Sequence, residues 1–370
     1  MPLVVERAAE AELQRKPDDD VIAALKASGV FRSFVPRRFG GYEIDLDLFV
    51  DVGIAVSEAC ASTGWITTFY MEHNWLLGFF APELQEEVFS RQPFVLAPGS
   101  VNPKDGLATP KGDGYELAGH WRFGTGIVHA DWVLLSGRIA TEPAGPPRMF
   151  LVRPDAVEVR DTWHVDGMVA TGSRDIVSNG VHVPPTHVSL RAMDAGSADA
   201  GYLGRLPVGP MLSLTAAIPS VGAARRAVEL FRRLLAKRIP FGTSRPQGER
   251  AAGRIRLANA FAQVRAAEAA LRAAARDATA HARGGRPLSL VDQLQMRLDL
   301  AHVVHACRGA VRAVMDGSGA SVHYLDQELQ RIHRDVQMMS AHTVFDLDLV
   351  AETAGRALLD ADVPLFPNAP

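Results

Sequence analysis

The sequence predicts a mainly α-helical fold with a β-domain inserted between two helical regions. The prediction rests on how the spacing of apolar residues changes along the 370 residues. Residues 1–92 place apolar side chains at helical spacing, residues 93–204 alternate with a period of two and are rich in turn residues, and residues 205–370 return to long helical stripes. We therefore expect an N-terminal helical domain, a central β-domain and a C-terminal helical bundle that also mediates oligomerisation.

The N-terminal region begins with clear helix signals. Pro17 and the three aspartates after it are typical of a helix start, and the helix would carry Ile22 and Leu25 on its apolar face. A Gly/Pro/Arg loop, VPRRFGGYEID, precedes a long stretch of helical periodicity from Leu46 to Phe80. Pro82 then opens a short helix that we expect to end near Ser90.

The middle of the chain has strand patterns separated by turns. The segment GDGYELAGHWRF begins with the Gly-Asp-Gly punctuation of a hairpin and continues with Tyr115 and Leu117 at strand spacing. Further strands are predicted in DWVLLSGRI, PRMFLVR and VSNGVHVP.

Two long helices dominate the C-terminal region. The first has one apolar stripe and ends at Gly284, and its stripe consists of Leu257, Phe261, Val264, Ala267 and Leu271. The second runs from about Leu290 to Asp316, where Gly317-Ser318-Gly319 stops it.

Composition excludes several classes of function. Charged residues make up 22% of the chain and the formal net charge is −3, which argues against disorder and against nucleic-acid binding. Two cysteines, Cys60 and Cys307, are too few for a disulfide framework and are expected to be buried thiols. The absence of a signal peptide and of an apolar run long enough for a membrane predicts a cytoplasmic protein. His302 and His305 lack further ligands nearby, so we expect no metal site.

Five segments, in this order, resemble the acyl-CoA dehydrogenase fold and, within it, the flavin-dependent monooxygenases of two-component systems. They are VPRRFGGYEID, STGWITTFYMEHNW, GHWRFGTGIVHADWVLLSG, DGMVATGSRDIVSNGVHVP and ELQRIHRDVQMMSAH. The branch includes oxygenase components that hydroxylate p-hydroxyphenylacetate and steroid-derived phenols, dibenzothiophene monooxygenase and amino-sugar nitrososynthases. The resemblance implies a barrel-like central β-domain and a C-terminal four-helix bundle, and it places the flavin and oligomer interface in that bundle.

The resemblance also implies a cofactor and partners. Reduced FMN or FAD would come from a separate NAD(P)H:flavin reductase, since no nicotinamide-binding motif follows a strand in this chain. With O2 the flavin would form a C4a-hydroperoxide that oxygenates an aromatic or other electron-rich small molecule. The family's usual assembly is a homotetramer.

Several residues match the family's flavin-binding segments. Trp121, Phe123 and Thr125 fall on the strand that faces the flavin, where a hydroxyl approaches N5 and O4; core packing is the alternative for Trp121. A second segment, GMVATGSRD, would line the cofactor and has Ala170 where the family has glycine. It supplies Thr171, Gly172 and Ser173. Arg238 resembles an arginine that reaches a neighbouring subunit's flavin phosphate, with a solvated helix end as the alternative.

Three residues match the family's catalytic positions. His73 and Ser100 would face the substrate, where a histidine within hydrogen-bond reach favours the phenolate that attacks the peroxide. His342 would lie at the reacting edge of the flavin. It follows Asp335 by seven residues, about two helical turns, so we expect both on one face of a helix, with Asp335 paired to Arg331 or Arg334.

A missing carboxylate argues against thioester dehydrogenation. In acyl-CoA dehydrogenases a carboxylate near this point removes the substrate α-proton, whereas this chain has Thr343, and the nearest carboxylates, Glu328 and Glu352, are several turns away. Three alternatives stay open at this stage. They are N-oxygenation of an amine or amino sugar, desaturation with a displaced base, and a flavin-free scaffold.

Overall fold

The N-terminal region consists of helices, as the sequence predicted. The computed structural model describes residues 1–100, 106–143, 145–190, 201–359 and 361. Its first helices are α1 (Pro2–Gln14), α2 (Asp19–Ser28), α3 (Leu46–Ala59), α4 (Ala61–Leu76) and α5 (Pro82–Phe89). The side chain of Asp18 accepts a hydrogen bond from the amide of Val21 at 3.0 Å, which confirms the predicted start of α2.

The apolar stretch from Leu46 to Phe80 is not one helix. Cys60 adopts an extended backbone and separates α3 from α4, which fold back on each other. The two helices approach closely at Gly64, where an added Cβ would clash with the side chain of Ser57. Nearly every residue of α4 is buried, so this helix runs through the interior of the molecule.

The β-domain is one mixed sheet. Its strands are β1 (Gly99–Ser100), β2 (Gly106–Lys111), β3 (Gly114–Gly124), β4 (Val133–Ile139), β5 (Arg148–Val152), β6 (Glu158–Arg160) and β7 (Arg174–Val183). The order is β1-β4-β2-β3-β7-β6, and β5 pairs with β4. Lys111 pairs with Gly114, which confirms the predicted hairpin. The pairing of β3 with β7 is irregular between Trp121 and Gly124, and there Phe123 has a φ of 66°.

The C-terminal helices are α6 (Gly201–Gly204), α7 (Val208–Lys237), α8 (Ala251–Arg283), α9 (Leu290–Ser318), α10 (Glu328–Ser340) and α11 (Leu347–Leu358). The predicted stop of α8 at Gly284 is confirmed, and α9 ends beside Gly319, whose φ is 76°. Helix α7 packs against both α9 and the pair α3 and α4. The bundle and the N-terminal helices therefore share one apolar core.

Other sequence predictions can be checked in the described part of the chain. Cys60 and Cys307 are buried free thiols, as predicted. No helix among the described residues combines the length and the apolar character that a membrane span requires. The predicted position of His342 on a helix face is wrong: α10 ends at Ser340, so His342 lies beyond the helix and caps a short 3-10 turn, Thr343–Phe345.

Candidate active site

One face of α4 carries a row of rings. Trp65, Phe69 and His73 are spaced by four residues, so they lie along one side of the helix. The ring centroids of Trp65 and Phe69 are 4.9 Å apart, and those of Phe69 and His73 are 5.9 Å apart. Sequence reasoning identified only the histidine, although the W-x3-F-x3-H spacing was the signal for the other two.

His342 closes the row at its other end. Its ring centroid lies 5.6 Å from that of Trp65, with the rings edge to face. The turn after α10 brings this side chain to α4. The structure therefore places two of the predicted catalytic residues, His73 and His342, at opposite ends of the Trp65–Phe69 pair.

A chain of hydroxyl groups from the β-domain meets this row at Trp65. The indole Nε1 donates to Oγ1 of Thr125 at 3.4 Å, and that hydroxyl lies 3.1 Å from Oγ of Ser173. Ser173 is in turn 2.7 Å from Oγ1 of Thr171, which donates to the carbonyl of Met168 at 2.8 Å. Three of the predicted flavin-binding residues thus form one hydrogen-bonded cluster beside the row of rings.

The two histidines expose different groups, because their backbone partners fix opposite tautomers. Nδ1 of His73 lies 2.7 Å from the carbonyl of Ala97 and must carry the proton, which leaves Nε2 as an acceptor. Nδ1 of His342 accepts from the amide of Val344 at 3.4 Å, so the proton of the neutral ring is on Nε2, which is a donor. Burial lowers the pKa of both imidazoles to about 4, and both are neutral at pH 7.

Ser100 approaches the site through the same backbone segment. It lies in β1, opposite Leu135 of β4, and follows by three residues the Ala97 carbonyl that anchors His73. Its role at the substrate stays a prediction.

Other predicted cofactor residues lie outside this cluster. Trp121 is a core residue of the β-domain: its ring is fully buried and its Nε1 donates to the carbonyl of Ser136, so packing accounts for it. Phe123 is 58% exposed and contacts the ring of Trp163 at 6.0 Å. Gly172 has a φ of 56° and packs against the backbone that follows α1.

Arg238 lies at the far end of α7. Its Nη1 donates to Gln247 at 2.7 Å, and its guanidinium leaves no room for a side chain at Gly319. Gly319 lines a cavity of about 470 Å³ with Arg312, His323 and His333. No described contact joins the arginine to the hydroxyl cluster, and its assigned role stays a prediction.

Asp335 is not paired with an arginine. Its Oδ1 accepts from the amide of Met168 at 2.6 Å, and burial raises the pKa of the carboxyl to about 7. Arg334 instead pairs with Glu12 at 2.5 Å. Asp335 thus anchors the loop that carries the hydroxyl cluster, because Met168 has a φ of 54° and needs support.

The carboxylates considered for a dehydrogenase role are engaged elsewhere. Glu328 pairs with Arg226 at 2.7 Å, and Glu352 pairs with Arg356 at 2.5 Å. Among the described residues no group of three His, Cys, Asp or Glu is placed to hold a metal ion. Nε2 of His305 lies 2.9 Å from the carbonyl of Phe345.

The chain is similar to known proteins over nearly its whole length. The family "Acyl-CoA dehydrogenase, C-terminal domain" matches residues 214–347. A pigment production hydroxylase of Rhodococcus sp. is 32% identical, over 98% of this chain and 95% of that protein. The FADH(2)-dependent resorcinol hydroxylase, oxygenase component, of Rhizobium sp. is also 32% identical, over 95% of this chain and 90% of that protein.

The solved structures agree with the sequence comparison. XiaF from Streptomyces sp., in complex with FADH2 and glycerol, superimposes with a TM-score of 0.93 at 26% identity, over 100% of this chain and 94% of that one. The mainly helical architecture with an inserted sheet is therefore shared with these proteins.

Proposed function

This chain belongs to the flavin-dependent monooxygenase oxygenase components of the acyl-CoA dehydrogenase fold, and from that premise we propose that it hydroxylates a phenol. One observation carries the proposal. Buried His73 and half-buried His342 present an acceptor and a donor at opposite ends of the same aromatic pair. Ring hydroxylation needs both, because a phenolate is a far better nucleophile than a phenol and the oxygen that accepts electrons needs a hydrogen-bond donor.

His73 is the residue we assign to the substrate. Its Nε2 lone pair accepts the phenol proton, while the Nδ1 bond to Ala97 keeps the ring in the orientation and tautomer that this step requires. We assign Ser100, three residues after Ala97 in the same segment, to the substrate's oxygen. His342 holds a proton on Nε2 and is assigned to the oxygen being transferred.

The residues present fit a reduced flavin. When bound, the flavin supplies the two electrons that activate O2. The hydroxyls of Thr125, Thr171 and Ser173 each donate or accept, which suits a ring edge whose nitrogen and oxygen change protonation with redox state. Exposed Phe123 and the ring of Trp163 beside it offer an aromatic surface for the same group.

We assign FAD rather than FMN. Two of the similar proteins are named with FADH2, at 32% and 26% identity. The cavity next to Arg238 adds a physical reason, because its arginine and histidine side chains suit the phosphates of a dinucleotide. Arg238 would serve a flavin held mainly by a neighbouring copy, so the proposal includes a homotetramer and a separate flavin reductase.

The deciding experiment supplies reduced flavin directly. The protein is mixed anaerobically with chemically reduced FAD or FMN and a panel of phenols, then exposed to isotopically labelled dioxygen. We expect one labelled oxygen atom in a catechol-type product, and tighter binding of FADH2 than of FMNH2. Labelled product from amines or amino sugars alone would instead establish an N-oxygenase, and oxidation of acyl thioesters without oxygen would establish a desaturase.

A further inference from the structure

A second ionisable group lies beside His73. Glu72 is fully buried, and neither of its carboxyl oxygens has a hydrogen-bond partner among the described residues. Oε2 nevertheless lies 3.5 Å from Nε2 of His73. Successive helical residues point about 100° apart, so two neighbouring side chains whose tips converge are not explained by helix geometry alone. The convergence is at the one imidazole nitrogen that the substrate needs.

No other described charge faces this pair. No charged group acts on the pKa of either residue, and several charged groups on the elements packed against α4 have other partners: Arg32 with the Gly40 carbonyl, Asp51 with Arg272, Glu58 with Arg225, Arg226 with Glu328, Arg334 with Glu12 and Asp335 with the Met168 amide. The neighbouring Tyr70 donates to the Gly126 carbonyl. Arg331 and Asp335 act on Cys60, at the opposite end of α4.

Among the described residues, the buried pair therefore has no counter-charge. Burial is the only cause that acts on Glu72, and it raises the pKa of this carboxyl well above its ordinary value. The same cause lowers the pKa of His73. Burial therefore favours the neutral acid at Glu72 and the neutral imidazole at His73.

We propose that Glu72 is a positioning residue that must keep its proton for His73 to deprotonate the substrate. The inference rests on the proposed phenol chemistry. In the step concerned, the O–H bond of the phenol breaks, its electron pair stays on oxygen, and the proton forms an N–H bond at Nε2 of His73. The products are a phenolate and an imidazolium, which stabilise each other in the buried site.

Loss of the Glu72 proton would cancel this step. An ionised carboxylate 3.5 Å from Nε2 would place a second anion beside the phenolate in a buried site, and repulsion between the two anions disfavours the bound phenolate. A neutral Glu72 adds no second anion. The protonation state of Glu72 therefore controls how well the site holds the phenolate.

The test uses the full-length protein without flavin, and 4-nitrophenol as the probe. Its phenolate absorbs visible light, so binding and protonation state are read together from about pH 6 to about pH 10. Dissociation constants are compared for the wild type and E72Q, with E72L as a second neutral variant. The ratio of wild type to variant cancels the ionisation of the free probe, which is the same for both proteins, so the remaining pH dependence reports Glu72 and its effect on His73.

We expect a ratio near one at the acidic end, where Glu72 is neutral in the wild type. At the alkaline end the wild type should bind the phenolate at least tenfold more weakly than either variant. Glu86 is an exposed carboxylate on α5, so E86Q is the matched control and should bind the phenolate as the wild type does at every pH. A ratio that stays at one throughout, or loss of bound phenolate in both neutral variants at every pH, would overturn the role of Glu72.

The proposed function fails in a different way. H73Q should bind the probe without converting it to phenolate at neutral pH. If H73Q still yields bound phenolate, His73 is not the base, whatever Glu72 does. If the wild type binds no 4-nitrophenol at all, the phenol class itself is contradicted.

Discussion

The two histidine regions of the site differ in how the backbone holds them. His73 lies inside a buried helix and bonds to a carbonyl at 2.7 Å, whereas His342 lies in a turn beyond α10 and bonds to an amide at 3.4 Å. Burial lowers the pKa of both rings to the same value, about 4. The comparison shows that burial sets the charge of each ring, while the local backbone decides whether the ring accepts or donates.

The hydrogen bonds that fix the two imidazole rings also differ in strength. A 2.7 Å bond from a ring N–H to a carbonyl fixes an orientation firmly, and a 3.4 Å bond at the limit of hydrogen-bond geometry does not. We infer that the base position is rigid and the donor position adjusts when cofactor and oxygen arrive. Variants at the two positions test this division between a rigid base and an adjustable donor.

The largest effect is expected at the rigid position. H73A removes the acceptor, and loss of a positioned general base lowers hydroxylation by roughly 100- to 10,000-fold. Reduced-flavin oxidation by O2 should continue, so almost all oxygen consumed would appear as hydrogen peroxide. Product and peroxide are measured together in single-turnover reactions.

H182Q provides the control, because His182 is an exposed residue of β7. It should match the wild type in both product and peroxide. Efficient hydroxylation by H73A would show that His73 is a packing residue. It would contradict the assignment of His73 as the rigid base.

A smaller effect is expected at the adjustable position. H342A removes one donor, which contributes about 1.5 kcal/mol or roughly tenfold in rate or partition. We therefore expect about tenfold less product per flavin oxidised, more peroxide, and unchanged conversion of bound 4-nitrophenol to its phenolate. The unfolding temperature should be close to that of the wild type, since His342 is only partly buried. Unchanged coupling would mean that His342 does not face the oxygen.

Most of the fold could be predicted from the sequence because its signals are local. Stripes of apolar residues, the Asp18 cap and the glycines after α8 and α9 act within a few residues of the elements they define. The end of α10 was mispredicted for the opposite reason. The helix ends at Ser340, and the turn after it brings His342 to Trp65. This contact joins residues 277 positions apart in the sequence.

The candidate site also has features that the sequence could predict and features that depend on distant parts of the chain. Resemblance located His73, His342 and the hydroxyl residues, but not their tautomers, since these depend on backbone atoms brought near by folding. Glu72 was missed because a sequence does not show whether a glutamate in an apolar helix reaches solvent. The Asp335 partner was mispredicted because a backbone amide from a distant loop replaced the nearby arginines.

Trp65 links the two regions, and its replacement should have a moderate effect. W65F keeps an aromatic ring beside Phe69 and His342 but loses the 3.4 Å hydrogen bond from Nε1 to Thr125. A bond this long lies at the weak end of the usual 0.5–1.5 kcal/mol, so we expect roughly threefold weaker reduced-flavin affinity. Fluorescence titration with reduced FAD measures it. An equal loss in phenolate formation at His73 would show that the two ends are not independent.

The smallest expected effect is a loss of phenolate formation at low pH, which only the protonation of His73 controls. Both imidazoles have a pKa of about 4, so lowering the pH toward 4 protonates both. Protonation removes the acceptor of His73, whereas His342 keeps its Nε2–H and loses only the bond from Val344. Phenolate formation should therefore fall by about half near pH 4, with the same midpoint in the wild type and in H342N.

The protein must stay folded at the pH values used for that measurement. The direction in which its stability changes with pH follows from the same two pKa values. Both folded-state values lie below the ordinary value of 6.5, so the unfolded chain binds more protons and stability falls as the pH drops from about 6.5 through about 4. Phenolate titrations must accordingly be paired with circular dichroism at each pH. If H342N shifts the midpoint while the protein stays folded, the donor and acceptor ends titrate as one unit, and the division between a rigid base and an adjustable donor is wrong.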